Sequence, residues 1–236
     1  MTDRPTTDPA NHHADHHPDG WVPIRTLAAK HRVEILAHPL ALAPHDRYLR
    51  FGYAAIDSQI ECYVDGLNFE RDEVFGIIDR SLRLIAVGHL ACAYPVELLA
   101  DQSSSAGRTM AEFGGSVLPH ARGRGYGRRL FEHAMLHARN RGLNTLYIHA
   151  LSENTAMLHI ARQAGASIER SGGESDAYLR LPDDTLGSHA EALWGEGTAA
   201  IDHLLKQTSH RSDELAVAGH DGTKDGAADG AGTAQR

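Results

Sequence analysis

Two cysteines in 236 residues, Cys62 and Cys92, can make one bridge at most, so no disulfide framework holds this chain together and a reducing compartment is expected. No apolar run approaches the roughly 20 residues that cross a bilayer. The first twenty residues, MTDRPTTDPANHHADHHPDG, lack the apolar segment of a secretory signal. A soluble, cytoplasmic protein without a membrane partner is expected. A basic surplus is missing too. The net charge is −8, but its excess acid lies at the ends, and residues 21–182 carry 17 acids against 18 bases. That near-neutral middle argues against a broad nucleic-acid-binding face.

The chain divides into three parts. Residues 1–20 have no aliphatic side chain larger than alanine after Met1 and cannot offset the entropy of ordering, so a disordered tail is expected. Its His12, His13, His16 and His17 could grip a divalent ion. No carboxylate or thiol pattern accompanies them, so a solvated tail with no metal is the simpler reading. Residues 183–236 are acidic and rich in Gly and Ala, again a disordered tail apart from a short helix around 191–205.

Between the tails, residues 21–182 alternate between strand and helix signals, which reads as one mixed α/β domain. EVFGIID (73–79), LRLIAVGHLACAY (82–94) and TMAEFGGSVL (109–118) read as strands, with DQSSSAGR (101–108) as an exposed hairpin loop and Gly114–Gly115 as a bulge. A helix from about Gly127 to Arg141 places Leu130, Phe131, Ala134, Met135 and Ala138 on one stripe. TLYIHAL (145–151) is a further strand. Asn154 or Thr155 then caps a second helix, whose Ala156, Met157, Ile160, Ala161 and Ala164 share a face. SIERS (167–171) and AYLRL (177–181) complete the strands, and residues 45–67 suggest two short helices upstream.

The segment ARGRGYGRRLFEHAMLHARNRG (121–142) sets three glycines among four arginines where a helix begins. Glycine is a poor helix former, so its presence here calls for a reason. Without Cβ atoms the backbone can approach a ligand, and the first helical turn offers unpaired N–H groups and the positive end of the dipole. That combination suits phosphate. The Lys-Ser/Thr ending of a nucleoside-triphosphate loop is absent, and G-x-G-x-G is not the dinucleotide spacing.

SVLPHARGRGYGRRLFEHAMLHARNRGLNTLYIHALSENTAMLHIARQAGA resembles the acetyl-CoA-binding half of the GNAT superfamily of N-acyltransferases. Arg122, Gly125 and Gly127 match its Arg/Gln-x-x-Gly-x-Gly/Ala motif. The resemblance implies a mixed, mostly antiparallel central sheet flanked by helices, with acetyl-CoA as acyl donor and an amine as acceptor. It implies that the amides of Gly123, Arg124, Gly125, Tyr126, Gly127 and Arg128, with Arg122 beside them, hold the coenzyme's diphosphate. It further implies that Val117 and Leu118 pair with the pantetheine arm and that Asn154 reaches it.

Acetyl transfer needs a neutral amine, and a lysine amine with a pKa of about 10.4 needs a proton acceptor at neutral pH. Glu112 is the candidate base, and its flanks Ala111 and Phe113 suggest partial burial. The AEF…V pattern and the segment HDRYLRF (45–51) resemble bacterial protein-lysine acetyltransferases, in which a glutamate on this strand is the base. Amides near Ser116–Val117 are candidates to meet the developing oxyanion. One departure stands out. Many GNAT enzymes carry a tyrosine acid seven residues after the asparagine, and this chain has Ala161 there. Tyr147, His149 and His159 are weak substitutes. The competing reading is a non-catalytic acyl-CoA-binding module, and a further one is a nucleotide-binding domain of another fold.

Overall fold

The computed structural model describes residues 23–92 and 110–182, together with His203. Both expected tails, the 101–108 hairpin loop and the 191–205 helix, save for His203, lie outside the described residues. A short strand β1 (Arg25–Leu27) is followed by a 3₁₀ turn and three helices, α1 (Arg32–Leu40), α2 (Pro44–Phe51) and α3 (Asp57–Asp65). Next come β2 (Glu73–Ile78), β3 (Leu84–Cys92), β4 (Met110–Val117), α4 (Tyr126–Asn140), β5 (Thr145–Leu151), α5 (Thr155–Gln163), β6 (Ser167–Ser171) and β7 (Glu174–Arg180). No helix among the described residues is long and apolar enough to cross a membrane.

The seven strands form one sheet in the order β1-β2-β3-β4-β5-β7-β6, the mixed, mostly antiparallel arrangement expected. Only β4 and β5 run parallel, because α4 carries the chain back between them. One face of the sheet packs on α4 and α5 over a core that includes Phe75, Phe113, Leu130, Phe131, Leu146 and Ile148. A smaller cluster of Leu27, Ile35, Val64, Leu67, Val74 and Leu84 seals α1 and α3 against β1–β3. Local signals set the helix limits. Pro44 opens α2 at a first-turn position where its missing N–H costs nothing. Gly52, at φ 81°, closes α2 in the left-handed conformation that favours glycine.

Three expectations need correction. Gly114 and Gly115 form no bulge on β3, because β4 pairs with it in unbroken register from Ala86↔Val117 to Cys92↔Ala111. Arg50 of α2 accounts for Gly114, and Phe113, two residues back on the same face of β4, accounts for Gly115. A Cβ on Gly114 would lie 2.7 Å from Arg50 Nη1, and one on Gly115 would lie 3.2 Å from the Phe113 ring. Second, the expected face of α5 holds only in part: Met157, Ile160, Ala161 and Ala164 pack on the core with Leu158, while Ala156 is exposed. Ala156, Met157 and Ile160 also line a cleft. Third, Glu112 is exposed, on the face of β4 opposite the buried Ala111 and Phe113. Strand alternation sends neighbours to opposite faces, so buried flanks imply an outward glutamate.

Candidate functional site

The sheet comes apart at its parallel pair. β4 and β5 are in register at Met110↔Thr145, Ala111↔Leu146 and Glu112↔Tyr147, and no pairing follows. Beyond Glu112 the β5-facing edge of β4 borders a gap. The Leu118 N–H donates to Ile85 O at 2.9 Å, so Leu118, Ser116 and Gly114 turn their main-chain groups toward β3. By alternation, Val117, Gly115 and Phe113 turn theirs toward the gap. Leu118 therefore has its N–H engaged and is not among the residues lining the cleft.

The gap opens into a cleft of about 560 Å³ between β4, α2, α5 and the start of α4. Its floor includes Val117 and Leu130, one wall is Met157 and Ile160, and the far end is the turn into α4. Gly123 and Gly125 adopt φ 76° and 74°, and added Cβ atoms would meet nothing within 4 Å. These two glycines serve conformation. Gly127 serves packing, since its Cβ would lie 3.3 Å from Ile160 Cδ1 where α4 and α5 touch. The first hydrogen bond into the helix runs from Arg129 N–H to Gly125 O at 3.1 Å. The amides from Gly123 to Arg128 have no acceptor among the described residues, which leaves the first helical turn open to an anion.

The predicted side chains take varied positions. Arg122 lines the cleft but is held internally, with its Nε donating to Val117 O at 3.2 Å and its Nη2 lying 2.7 Å from Asp46. Arg128 also lines the cleft and pairs with Glu132 at 3.2 Å, while exposed Arg124 does not line it. Tyr126 packs its ring into the core and still borders the cleft. Asn154 caps α5 by accepting the Met157 N–H at 3.2 Å, and its Nδ2 donates to Leu49 O at 3.3 Å. It thus ties α5 to α2 at the cleft wall. Glu112 stands at the fork where the strands part, outside the cleft lining.

Two groups at the site were not legible in the sequence. Ser116, in the cleft lining, lies 3.0 Å from Nε2 of buried His38, whose Nδ1 is 2.9 Å from Leu84 O. A carbonyl only accepts, so Nδ1 carries the proton and Ser116 donates to bare Nε2. Burial, reinforced by the charge of Arg50, drives the His38 pKa down to about 4. The second group is Arg50, whose Nη2 donates to the Tyr63 hydroxyl at 2.9 Å. No local pattern marks either group, because His38 of α1 meets Ser116 of β4 and Arg50 of α2 meets Tyr63 of α3 only in the folded chain.

On the β5 side of the fork, Tyr147 donates to Asp176 at 2.6 Å and His149 Nδ1 lies 2.8 Å from the same oxygen. Burial, then the Asp176 carboxylate, pushes the Tyr147 phenol upward, which makes it a poor acid. Ala161 is fully buried against the core. Among the described residues no group of three or more His, Cys, Asp or Glu side chains could hold a metal ion.

A sheet split at its one parallel pair, with a cleft running from the split to an unbonded helical turn, defines a site for an elongated ligand with an anionic end. A family model described as the acetyltransferase (GNAT) family matches residues 41–166, more than half of the chain. The protein belongs to the GNAT acetyltransferase family, whose acyl donor is acetyl-CoA. No curated protein matches the chain. Among solved structures, the GNAT domain of S. lividans PAT is similar with a TM-score of 0.54 at 18% identity, covering 67% of this chain and 89% of that one. A GNAT-family acetyltransferase from Streptococcus pneumoniae is similar with a TM-score of 0.50 at 15% identity, covering 69% of this chain and 100% of that one. At such identities these likenesses show the fold alone.

Proposed function

We propose that residues 21–182 transfer an acetyl group from acetyl-CoA to a primary amine, a protein lysine or a small molecule, by direct attack of the amine on the thioester. One observation carries the reading. The gap beside β4 leads without interruption to the amides of Gly123–Arg128, which have no acceptor among the described residues. A pantetheine arm in that gap would meet the main-chain groups of Gly115 and the N–H of Val117, whose carbonyl accepts from Arg122, with Asn154 on the opposite wall. The diphosphate would rest on the turn amides, within the field of Arg122, Arg124 and Arg128. Arg122 can serve there only by loosening its contacts with Asp46 and Val117 O.

The N–H groups of Val117 and Gly115 point where an oxyanion could form, whereas that of Ser116 points to β3. Glu112, at the fork, would take the amine's proton, and its exposure makes a bridging water the natural path. No tyrosine acid is required, because a thiolate with a pKa of about 8.5 is a tolerable leaving group. The test is release of free coenzyme thiol from acetyl-CoA across a panel of amines and lysine-bearing proteins. Glu112→Gln is expected to lower turnover by about 10²–10⁴-fold while coenzyme affinity holds. A wild-type protein that binds coenzyme A and turns over no acceptor would overturn the transferase reading in favour of a binding module.

A further inference from the structure

Arg50 is a cation at the reacting end of the cleft with no carboxylate partner among the described residues. It lines the cleft beside Phe113, Gly115 and Ser116. Its guanidinium lies over Gly114 so closely that a Cβ there would stand 2.7 Å from Nη1 and 3.0 Å from Cζ. The plane is held in place. Cζ is 5.2 Å from the Phe51 ring centroid and 5.5 Å from that of Tyr63, whose hydroxyl accepts from Nη2. A guanidinium has five N–H donors, and the structure assigns an acceptor to one.

Two nearby acids are committed elsewhere, and Glu112, two residues before Gly114 on the same face of β4, makes no ion pair with Arg50. Asp46, one helical turn earlier on α2, pairs with Arg122. Asp72 is reached only through Tyr63 and His89, and it is already held by Arg71 Nε at 2.7 Å and by the Cys92 N–H. The uncompensated charge is felt around it, since Arg50 adds to the lowering of both His38 and His89. A partly buried cation without a counterion is costly, and a fixed fork of donors suits a planar carboxylate.

Position separates this group from the coenzyme's contacts. The arm expected beside β4 lies in the plane of the sheet and meets main-chain groups. Arg50 instead packs on the face of β4 to which Gly114 and Ser116 direct their Cβ positions, covered by α1 and α2. An anion there belongs to the acceptor rather than to the reacting thioester.

We propose that Arg50 binds a carboxylate carried by the acceptor, so that the preferred substrate is a small amine bearing an acid group, as in an amino acid. The inference rests on the transferase reading above and narrows its acceptor.

The experiment has two arms. In the first, thiol release is compared for matched pairs, an α-amino acid and its primary amide. The wild type should favour the acid by about ten- to a hundredfold in kcat/KM. Arg50→Gln should remove the preference by lowering the acid toward the amide, and Arg50→Lys should keep part of it. In the second arm, calorimetry measures binding of an N-acetylated amino acid, which cannot react, to the protein saturated with coenzyme A. Binding is expected for the acid, not for its amide and not in Arg50→Gln, with thermal unfolding and coenzyme affinity confirming that the variant is folded. Equal turnover of acid and amide, or a parallel loss of both in a folded Arg50→Gln, overturns the proposal and leaves the transferase standing. Selective carboxylate binding without turnover of any amine does the reverse.

Discussion

Gly125→Ala tests the turn at the head of α4 with little steric interference. At φ 74° an L-residue is disfavoured by about 1–2 kcal/mol, because its Cβ crowds the following carbonyl. No other atom lies within 4 Å of the added methyl, so packing contributes nothing to the cost. If the turn holds its shape, the strain appears as lost stability, a Tm lower by about 2–8 °C for a domain of this size. If the turn relaxes, stability recovers while the amides from Gly123 to Arg128 lose their common aim, and coenzyme affinity falls instead. The two losses share one source, so together they should amount to about 1–2 kcal/mol or more. Gly127→Ala is the control. Its methyl gains about 1 kcal/mol of helix propensity, presses on the flexible end of Ile160 at 3.3 Å and reaches Val117 Cγ2 at an ordinary 3.8 Å, so a small change of either sign is expected. Calorimetric titration with coenzyme A and urea unfolding on the same samples give both quantities. Wild-type stability together with wild-type affinity in Gly125→Ala would refute the reasoning.

Three further outcomes follow from the site. Burial lowers the pKa of His38 and His89 from 6.5 to about 4 and that of His133 to about 3. The unfolded chain therefore binds more protons below pH 6.5, and urea unfolding should show stability falling on acidification through that window, by up to about 1.4 kcal/mol per pH unit for each histidine. A flat profile between about pH 6.5 and 5 would contradict the burial of these rings. Ser116→Ala leaves buried His38 Nε2 without a donor, so a loss of about 1–3 kcal/mol is expected by denaturant unfolding. Asp46→Asn removes a negative charge from the cleft and frees half-exposed Arg122, at little cost to stability. Coenzyme affinity should rise several-fold at low salt, with the gain shrinking as ionic strength increases.

The run from β4 to α5 was legible because its signals are local. The helical period of Leu130, Phe131, Ala134 and Ala138, the capping Asn154 and the spaced glycines each speak for themselves. The strand β1 and the helix α1 were missed. The helix is short, contains Pro39, and buries only Ile35, His38 and Pro39 on its inner face. Gly114 could not be read correctly from its neighbours, because what excludes a side chain there is Arg50, 64 positions upstream. In α5 Met157 and Ile160 serve the core and the cleft wall at once, and periodicity cannot tell one apolar surface from another. Glu112 is different, since strand alternation alone would have placed it outside. The counterion of Arg122 and the serine–histidine contact both join the helices before β2 to β4 or its following turn, so only the folded chain brings them together.

The most direct test follows the backbone amides of the isotopically labelled protein by NMR during titration with coenzyme A, and then with pantetheine, which lacks the diphosphate. Coenzyme A should shift Gly115 and Val117 together with the whole set from Gly123 to Arg128, whereas pantetheine should shift the strand pair and leave the turn in place. A saturating titration with coenzyme A in which the turn amides do not move would contradict the central claim that they hold the diphosphate.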